Sequence, residues 1–445
     1  MSGVQKVSSW LQRVLTYKHD LTYSLLRQPR FIWESGTWGP VPRWLSPPDI
    51  TVIESLSRSH LQLHAGYDIA VAFFAEGAFN KLYTINVAAG NVPGPRQYIF
   101  RVTSPVEPFY KTASEVATLS YIREYTSIPV PRVIAHCSTT DNELGCEWIL
   151  MEKVPGVTLD SIWSGLDMEM KNRVTKLVAS FVVQLRGRRR FKSIGNLYFS
   201  KDLGRVGVVA HVVPTEDEKY VLGPIVIPYM FAGGRKLRVS RNLGPYSNDA
   251  EYMTALAASG SEEMKLLLSA DAHLHDDFDE DLAEDAEDIM EVLDGLQTIS
   301  ATLFPSRPCR FALHHGDLSL SNILIDPVTH EITGIVDWEC VGTRPHWQDP
   351  YPTFLTGPEV EETEPLASGD TDPCRVERWE NWEKMRLRSV FDRLLGEVSD
   401  ADDGKDGIRR EFREQLDWVD ISQAIVRRWM KGYDERRLQM EPEAA

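Results

Sequence analysis

Five cysteines in 445 residues, Cys137, Cys146, Cys309, Cys340 and Cys374, form no Cys-x-x-Cys pair. So odd and scattered a set excludes a disulfide framework and a zinc knuckle, and it suits a reducing compartment. No run of 18 or more apolar residues is present either, so no transmembrane helix is expected. Positive charge is in deficit: 48 Lys and Arg stand against 65 Asp and Glu, a formal −17. Neutralising a nucleic-acid backbone needs a basic face, so no nucleic acid is expected as a partner, whereas a neutral or cationic ligand is admitted. What is there, 42% hydrophobic and 25% charged residues, suffices for a large core in two lobes with extensions.

The charge is unevenly spread. In the first 30 residues Lys6, Arg13, Lys18, Arg27 and Arg30 face only Asp20, while Trp10, Val14 and Tyr17 recur at helical spacing. This basic extension fits a mitochondrial presequence and equally an amphipathic helix packed on the protein. The expected location is therefore cytoplasmic, with the mitochondrion as the alternative. From Asp276 to Glu291 acidic residues dominate, and Ile289, Val292, Leu293, Leu296, Ile299 and Leu303 continue as an apolar stripe. The pattern predicts an amphipathic helix that stops before Pro305, its acidic first turn favoured by the helix dipole. His273 and His275 beside that block lack a further ligand at fixed offset for a metal. Lys171 to Gly187 carries Val174, Leu177, Val178, Phe181, Val182 and Leu185 at helical spacing and predicts a core helix; the arginines that follow, Arg188, Arg189 and Arg190, read as solvated surface. Arg375 to Met430 is Trp-rich with helical patterning, and residues 431–445 form a tail whose end is expected to fray.

The densest chemistry lies between Phe311 and Trp338. Asn322 to Asp326 runs into a short apolar strand, Pro327-Val328-Thr329-His330 is turn chemistry, and Ile332 to Val336 is rich in β-formers. An antiparallel pair folded about that turn brings Asn322 opposite residues near Ile335, so Asp337 emerges within about two residues of it, roughly 5–8 Å away. One hard cation such as Mg²⁺ could bridge the Asn and the Asp, with phosphate and water completing its shell. Asp317, five residues before Asn322, is placed to accept the proton of an attacking hydroxyl or to position it.

His315-Gly316-Asp317 through Asn322, followed by Val336-Asp337-Trp338-Glu339, resembles the aminoglycoside phosphotransferase and choline kinase branch of the protein-kinase-like fold. The resemblance implies an α+β, bilobal fold with a small antiparallel-sheet N-lobe over residues 31–153 and a larger, mainly helical C-lobe over residues 154–430. It also implies ATP and Mg²⁺ as cofactors, Asp317 as the catalytic residue, and Asn322 and Asp337 as metal ligands. Upstream, Ile69 to Ala75 and Lys81 to Val87 read as strands joined by Glu76-Gly77-Ala78-Phe79-Asn80. That turn is either a phosphate cradle, through Gly77, Ala78, Phe79 and Asn80, or an ordinary hairpin. In the third strand Tyr98, Phe100 and Val102 alternate with Ile99, Arg101 and Thr103, and Arg101 falls where the family places a phosphate-pairing lysine. An arginine fork is no conservative exchange for a point charge. Glu115, in a helix predicted over Thr112 to Tyr125, is the expected partner of Arg101, though Thr112-Ala113-Ser114-Glu115 also fits a capping box. Met151, Glu152 and Val154 fall at the family's adenine-reading hinge, with Pro155-Gly156 turning the chain into the C-lobe.

A second resemblance runs from about Phe31 to Phe354. Ser35-Gly36-Thr37-Trp38, Ala75 to Lys81, Lys111 to Thr118, Met151 to Gly156 and Leu243-Gly244-Pro245-Tyr246 are similar to a fungal phosphotransferase-family group related to the altered-inheritance-of-mitochondria type, in which arginine at the third-strand position is common. The function implied is transfer of the ATP γ-phosphate to a hydroxyl of a small molecule. A nucleotide-binding pseudokinase or scaffold is the alternative, and a metal hydrolase built on His314, His315 and Asp317 is a third. Protein acceptors are disfavoured because no Ala-Pro-Glu activation-segment signature follows Asp337. The segment Glu339 to Phe354, with Trp347, Asp349 and Tyr351, is where the family shapes its acceptor pocket, and a packed loop is the alternative reading.

Overall fold

The computed structural model describes residues 31–36, 39–89, 96–187, 191–203, 211–231, 242–269, 283–304, 310–348, 351–358, 375–396, 404–419 and 422–440. The basic extension, the arginines at 188–190, His273 and His275, Asp349 and the last five residues lie outside these ranges.

A hairpin of β1 (Phe31–Gly36) and β2 (Gly39–Trp44) is followed by helix α1 (Ile50–His60), capped by Asp49, whose side chain accepts from the Thr51 amide. Strands β3 (Tyr67–Glu76), β4 (Asn80–Ala89) and β5 (Arg96–Thr103) then run antiparallel, as the alternating patterns predict. Helix α2 (Tyr110–Tyr125) intervenes before β6 (Val133–Cys137) and β7 (Glu147–Glu152), giving one antiparallel sheet in the order β3-β4-β5-β7-β6. Both faces of the central strand β5 are covered. Phe100 and Val102 pack with Tyr83, Ile85, Trp148 and Ile53 of α1, and Phe100 stacks on Trp148 with ring centroids 5.1 Å apart. Ile99 on the other face packs with Val116 of α2 and with Ile149 and Met151.

The capping-box expectation fails. Helix α2 starts at Tyr110, two residues before Thr112, and its N-cap Phe109 (φ +68°) makes no side-chain cap. The free N–H at this end is taken from a distance: the Glu147 carboxylate in β7 accepts from the Phe109 amide at 2.6 Å. Burial pushes the Glu147 carboxyl up to about 7, against which its hydrogen bonds with Thr112 and Phe109 act. The folded state therefore holds a proton there that the unfolded chain loses near pH 4.5. Stability falls as pH rises from about 4.5 to about 7, by on the order of a few kcal/mol at most, and then levels. Glu147→Gln keeps the acceptor without the charge, so it is expected to flatten this slope and to raise the urea midpoint at pH 8 relative to wild type.

Past the sheet, Pro155-Gly156 turns the chain into β8 (Val157–Thr158), and after a single helical turn at Asp160–Trp163 comes the long helix α3 (Met168–Gly187). Strands β9 (Asn196–Phe199), β10 (Val213–Pro214) and β11 (Tyr220–Gly223) form a small antiparallel sheet. Helices α4 (Asp249–Leu267) and α5 (Ala286–Leu303) follow, and the stripe Ile289, Val292, Leu293, Leu296, Ile299 and Leu303 is buried as predicted. Next come β12 (Ala312–His314), β13 (Ile323–Ile325), β14 (Ile332–Ile335) and β15 (Gly342–Arg344). Helices α6 (Arg375–Leu395), α7 (Asp406–Trp418) and α8 (Gln423–Met440) close the lobe, with Phe391, Phe412, Leu416 and Val426 joining its core. The fold is α+β and bilobal, of the protein-kinase-like kind.

The junction of the lobes is a close approach of backbone to backbone. Strand β8 pairs with β13, and Thr333 of β14 donates to the Pro155 carbonyl. Gly156 sits there at φ +108°, where a Cβ would lie 2.5 Å from the Ile325 carbonyl oxygen. Gly156→Ala is expected to destabilise by more than about 1 kcal/mol, measured by urea unfolding, because it meets both a backbone clash and a left-handed φ.

Candidate functional site

The loop after β12 presents Asp317. Gly316 turns the chain at φ +76° and leaves Asp317 exposed to the cleft, while His315 before it is buried. The His315 ring lies edge-on to Trp338, and its Nε2 is 3.0 Å from the Val336 carbonyl. Burial pushes this imidazole down to about 4, so it is neutral at pH 7. It serves as a strut from the Asp317 loop to the strand that ends in Asp337. A base role for a metal hydrolase is not visible in this arrangement.

Asn322 closes a short 3₁₀ turn, Leu320–Asn322, ahead of β13. Its Nδ2 donates to both the Asp317 carbonyl and Asp317 Oδ2, each at 2.9 Å. The amide oxygen is thereby turned away from Asp317. The Val336 amide donates to the Asn322 carbonyl at 2.9 Å, so Asn322 lies opposite Val336 and Asp337 follows by one residue, as the hairpin pattern predicts. Asp337 adopts φ +63°, a left-handed conformation uncommon for a side chain without a local role. The residue as a whole is exposed. Burial and the neighbouring Glu339 charge push its carboxyl upward, with Arg101 and Lys111 opposing.

A carboxylate held above its ordinary range by burial and other carboxylates is a group that a bound cation would relieve. The donor set of Asp337, the Asn322 amide oxygen and the adjacent carboxylates is all oxygen, which fits a hard ion such as Mg²⁺. Among the described residues no cluster of three or more His, Cys, Asp and Glu forms a self-sufficient metal cage. An ion held here would need phosphate and water to complete its shell.

Arg101 and Glu115 are both buried and form a direct ion pair through Arg101 Nη2 and Glu115 Oε2. The partner role for Glu115, left open by the sequence, is thus the one it plays. Around this pair lie two residues that the sequence reasoning did not assign, Lys111 and Glu339. Glu339 Oε2 accepts from Lys111 Nζ at 2.5 Å and from Asn80 Nδ2 at 2.6 Å, and stands 4.0 Å from Arg101 Nη1. Burial acts to raise the Glu339 carboxyl, but Lys111 and Arg101 outweigh it and hold the group down to about 2. Asn80 Oδ1 in turn accepts from Thr103 Oγ1 at 3.0 Å and Lys111 Nζ at 3.3 Å, and the Phe79 ring lies 5.7 Å from Lys111 Nζ. The sequence signal for this cluster was that both residues end recognised stretches, Lys111 to Thr118 and Val336 to Glu339, without a role being assigned to either.

The β3–β4 turn carries Gly77, Ala78, Phe79 and Asn80. The Gly77 amide donates to the Asn80 carbonyl, Gly77 and Ala78 are exposed, and Asn80 is buried against Glu339. At the lobe junction Met151 pairs with Ile99, and the Glu152 amide donates to the Arg132 carbonyl while its carboxylate holds the Arg132 guanidinium. The Glu152 N–H is therefore spent inside the sheet. Val154 lies over Gly334, where a Cβ would meet its Cγ1 at 2.5 Å.

Behind the Asp317 loop lies a cavity of about 230 Å³, bounded by Leu185, Arg186, His314, Gly316, Leu318 and Tyr351 among others. It borders both chain neighbours of Asp317.

A subtelomeric hrmA-associated cluster protein of Aspergillus fumigatus is 28% identical over 325 residues, covering 64% of this chain and 60% of that protein. The protein named altered inheritance of mitochondria protein 9, mitochondrial, of Clavispora lusitaniae is 25% identical over 366 residues, covering 74% of this chain and 57% of its own length. The chain thus spans about 60% of the length of these curated relatives. Among solved structures, an aminoglycoside phosphotransferase in ternary complex with AMP-PNP and hygromycin B aligns over 87% of this chain and 99% of its own, at 14% identity and a TM-score of 0.40. The Phosphotransferase enzyme family matches residues 71–388, from β3 through most of α6, and the chain belongs to that family.

Proposed function

We propose that this protein transfers the γ-phosphate of ATP to a hydroxyl of a small molecule, with residues 31–153 as the nucleotide-binding lobe and 154–430 as the catalytic lobe. The observation that carries the reading is the joint placement of Asp317, Asn322 and Asp337: one exposed carboxylate hydrogen-bonded to an amide that sits one pair away from a second carboxylate. In the proposed reaction the acceptor hydroxyl gives its proton to Asp317 and its oxygen forms the new bond to phosphorus as the bond to the nucleoside diphosphate breaks. Asn322 holds Asp317 in place, and Asp337 with the Asn322 amide oxygen would hold Mg²⁺, which supplies charge neutralisation at the phosphate oxygens. Arg101, oriented by Glu115, faces the phosphates, and the backbone near Met151, Glu152 and Val154 borders the base.

The cavity of about 230 Å³ behind the Asp317 loop supports a small acceptor. This chain's acceptor is proposed to be a neutral or cationic hydroxyl compound, in keeping with the formal net charge of −17. The mitochondrial name of one relative favours a presequence role for the basic residues 1–30. The test is a mass-shift screen: purified protein with MgATP and a fungal metabolite extract should yield a phosphorylated product that the Asp317→Asn variant does not. If MgATP binds but neither slow ATP hydrolysis nor any product separates wild type from variant, the pseudokinase reading replaces this one.

A further inference from the structure

We infer that Lys111 is a phosphate-binding cation of the nucleotide site, and that the Glu339 carboxylate stands in for a phosphate oxygen on it until nucleotide arrives. The inference rests on the nucleotide-dependent reading above and gives it a residue to which the sequence assigned no role.

The argument begins with cost. The Lys111 side chain is wholly buried, and its ion-pair partner Glu339 is 15% exposed. Burying such a pair gives no net stability relative to well-packed apolar residues, so a purely structural clamp would be a poor use of two charges. Geometry adds a direction. A single oxygen, Glu339 Oε2, receives Lys111 Nζ and Asn80 Nδ2 and is approached by Arg101 Nη1. Two donors and a guanidinium 4.0 Å away gather about one anionic oxygen, beside the β3–β4 turn and two residues from Asp337, and make an anion cradle. Arg101 has its other terminal nitrogen engaged by Glu115 deep between β5 and α2, so its charge is largely matched there. The charge of Lys111 is matched instead by a carboxylate that reaches the cleft. Rotation of the Glu339 side chain toward solvent would leave Lys111, Asn80 and one edge of Arg101 facing an incoming phosphate. The lysine absent from β5 is, on this view, supplied one element later, from the first turn of α2.

Calorimetric titration of the full-length protein with ADP and with adenosine, both in EDTA to exclude metal, tests this. Lys111→Met combined with Glu339→Gln removes both charges and leaves neither group buried alone. It is expected to weaken ADP by roughly 10- to 100-fold, the loss of a charged hydrogen bond, and to leave adenosine unchanged. Glu339→Gln by itself is expected to tighten ADP several-fold without changing adenosine. If the double variant weakens both ligands alike, or weakens neither, Lys111 is a structural clamp and the inference fails. Should the double variant not fold, Glu339→Gln decides: ADP affinity unchanged or reduced overturns the stand-in role. Wild-type protein that binds neither ligand would overturn the nucleotide reading itself, whereas wild-type binding with an insensitive double variant overturns only the role of Lys111.

Discussion

Asp317→Asn is expected to lower phosphoryl transfer by about 10²- to 10⁴-fold while ADP affinity and the urea midpoint stay near wild type. Asp317 is exposed, and its main partner is the side chain of Asn322, which donates to it twice. An asparagine at this position keeps an acceptor oxygen for Asn322 and the Asp317 backbone carbonyl keeps the other bond, so the loop retains its shape. Only the capacity to take a proton and the negative charge are lost. Single-turnover transfer to the acceptor found in the extract screen separates the two roles that remain: a base gives a wild-type pH profile that differs in shape from the variant's, and a positioner gives parallel profiles. A variant within about threefold of wild type would remove Asp317 from the chemistry, since a positioned proton acceptor contributes on the order of 10² or more.

How far the site was legible depended on how far apart its parts lie in sequence. The hairpin from Asn322 to Asp337 could be read because turn residues and alternating apolar positions are local, and the register found, Ile323 opposite Ile335 with an irregularity at Leu324–Ile325, lies within one residue of the pairing of Asn322 with residues near Ile335. The three-strand pattern of β3, β4 and β5 was equally local. The start of α2 was misjudged for the opposite reason: Thr112 to Glu115 satisfies a capping pattern, but Glu147, a distant residue, receives the Phe109 amide and moves the helix start upstream. Lys111 and Glu339 meet across 228 residues, and no periodicity relates them. Helix α4 left no trace in the reading either. Its buried face includes Ser259, Gly260, Ser261 and Glu263, small or polar residues that let α5 approach closely, with Leu293 3.0 Å from where a Cβ on Gly260 would lie. The same face also carries Tyr252, Met253, Leu256, Met264 and Leu267, so an apolar stripe is present there, interrupted by these small and polar residues.

The Arg101–Glu115 pair supports the other large effect. Both side chains are at most 5% exposed, so Glu115→Ala strands a guanidinium in the interior and is expected to destabilise by about 3–5 kcal/mol. Replacing both residues together, Arg101→Met with Glu115→Met, removes the stranded charge, and the urea midpoint should return most of the way to wild type. Activity should not return with it. If Arg101 faces the phosphates and Glu115 orients it, the double variant is folded but transfers phosphate far more slowly than wild type, because stability depends on the balance of the pair while function depends on the presence of the cation. Arg101→Lys sharpens the distinction: it keeps the charge but replaces the planar fork, whose Nη2 serves Glu115 while Nη1 points toward Glu339, with a single ammonium that cannot bridge both. The expected order in transfer rate is wild type, then Arg101→Lys, then the double methionine variant. Recovery of rate together with stability in the double variant would make the pair a folding element, and would leave Lys111 as the cation on which nucleotide affinity depends.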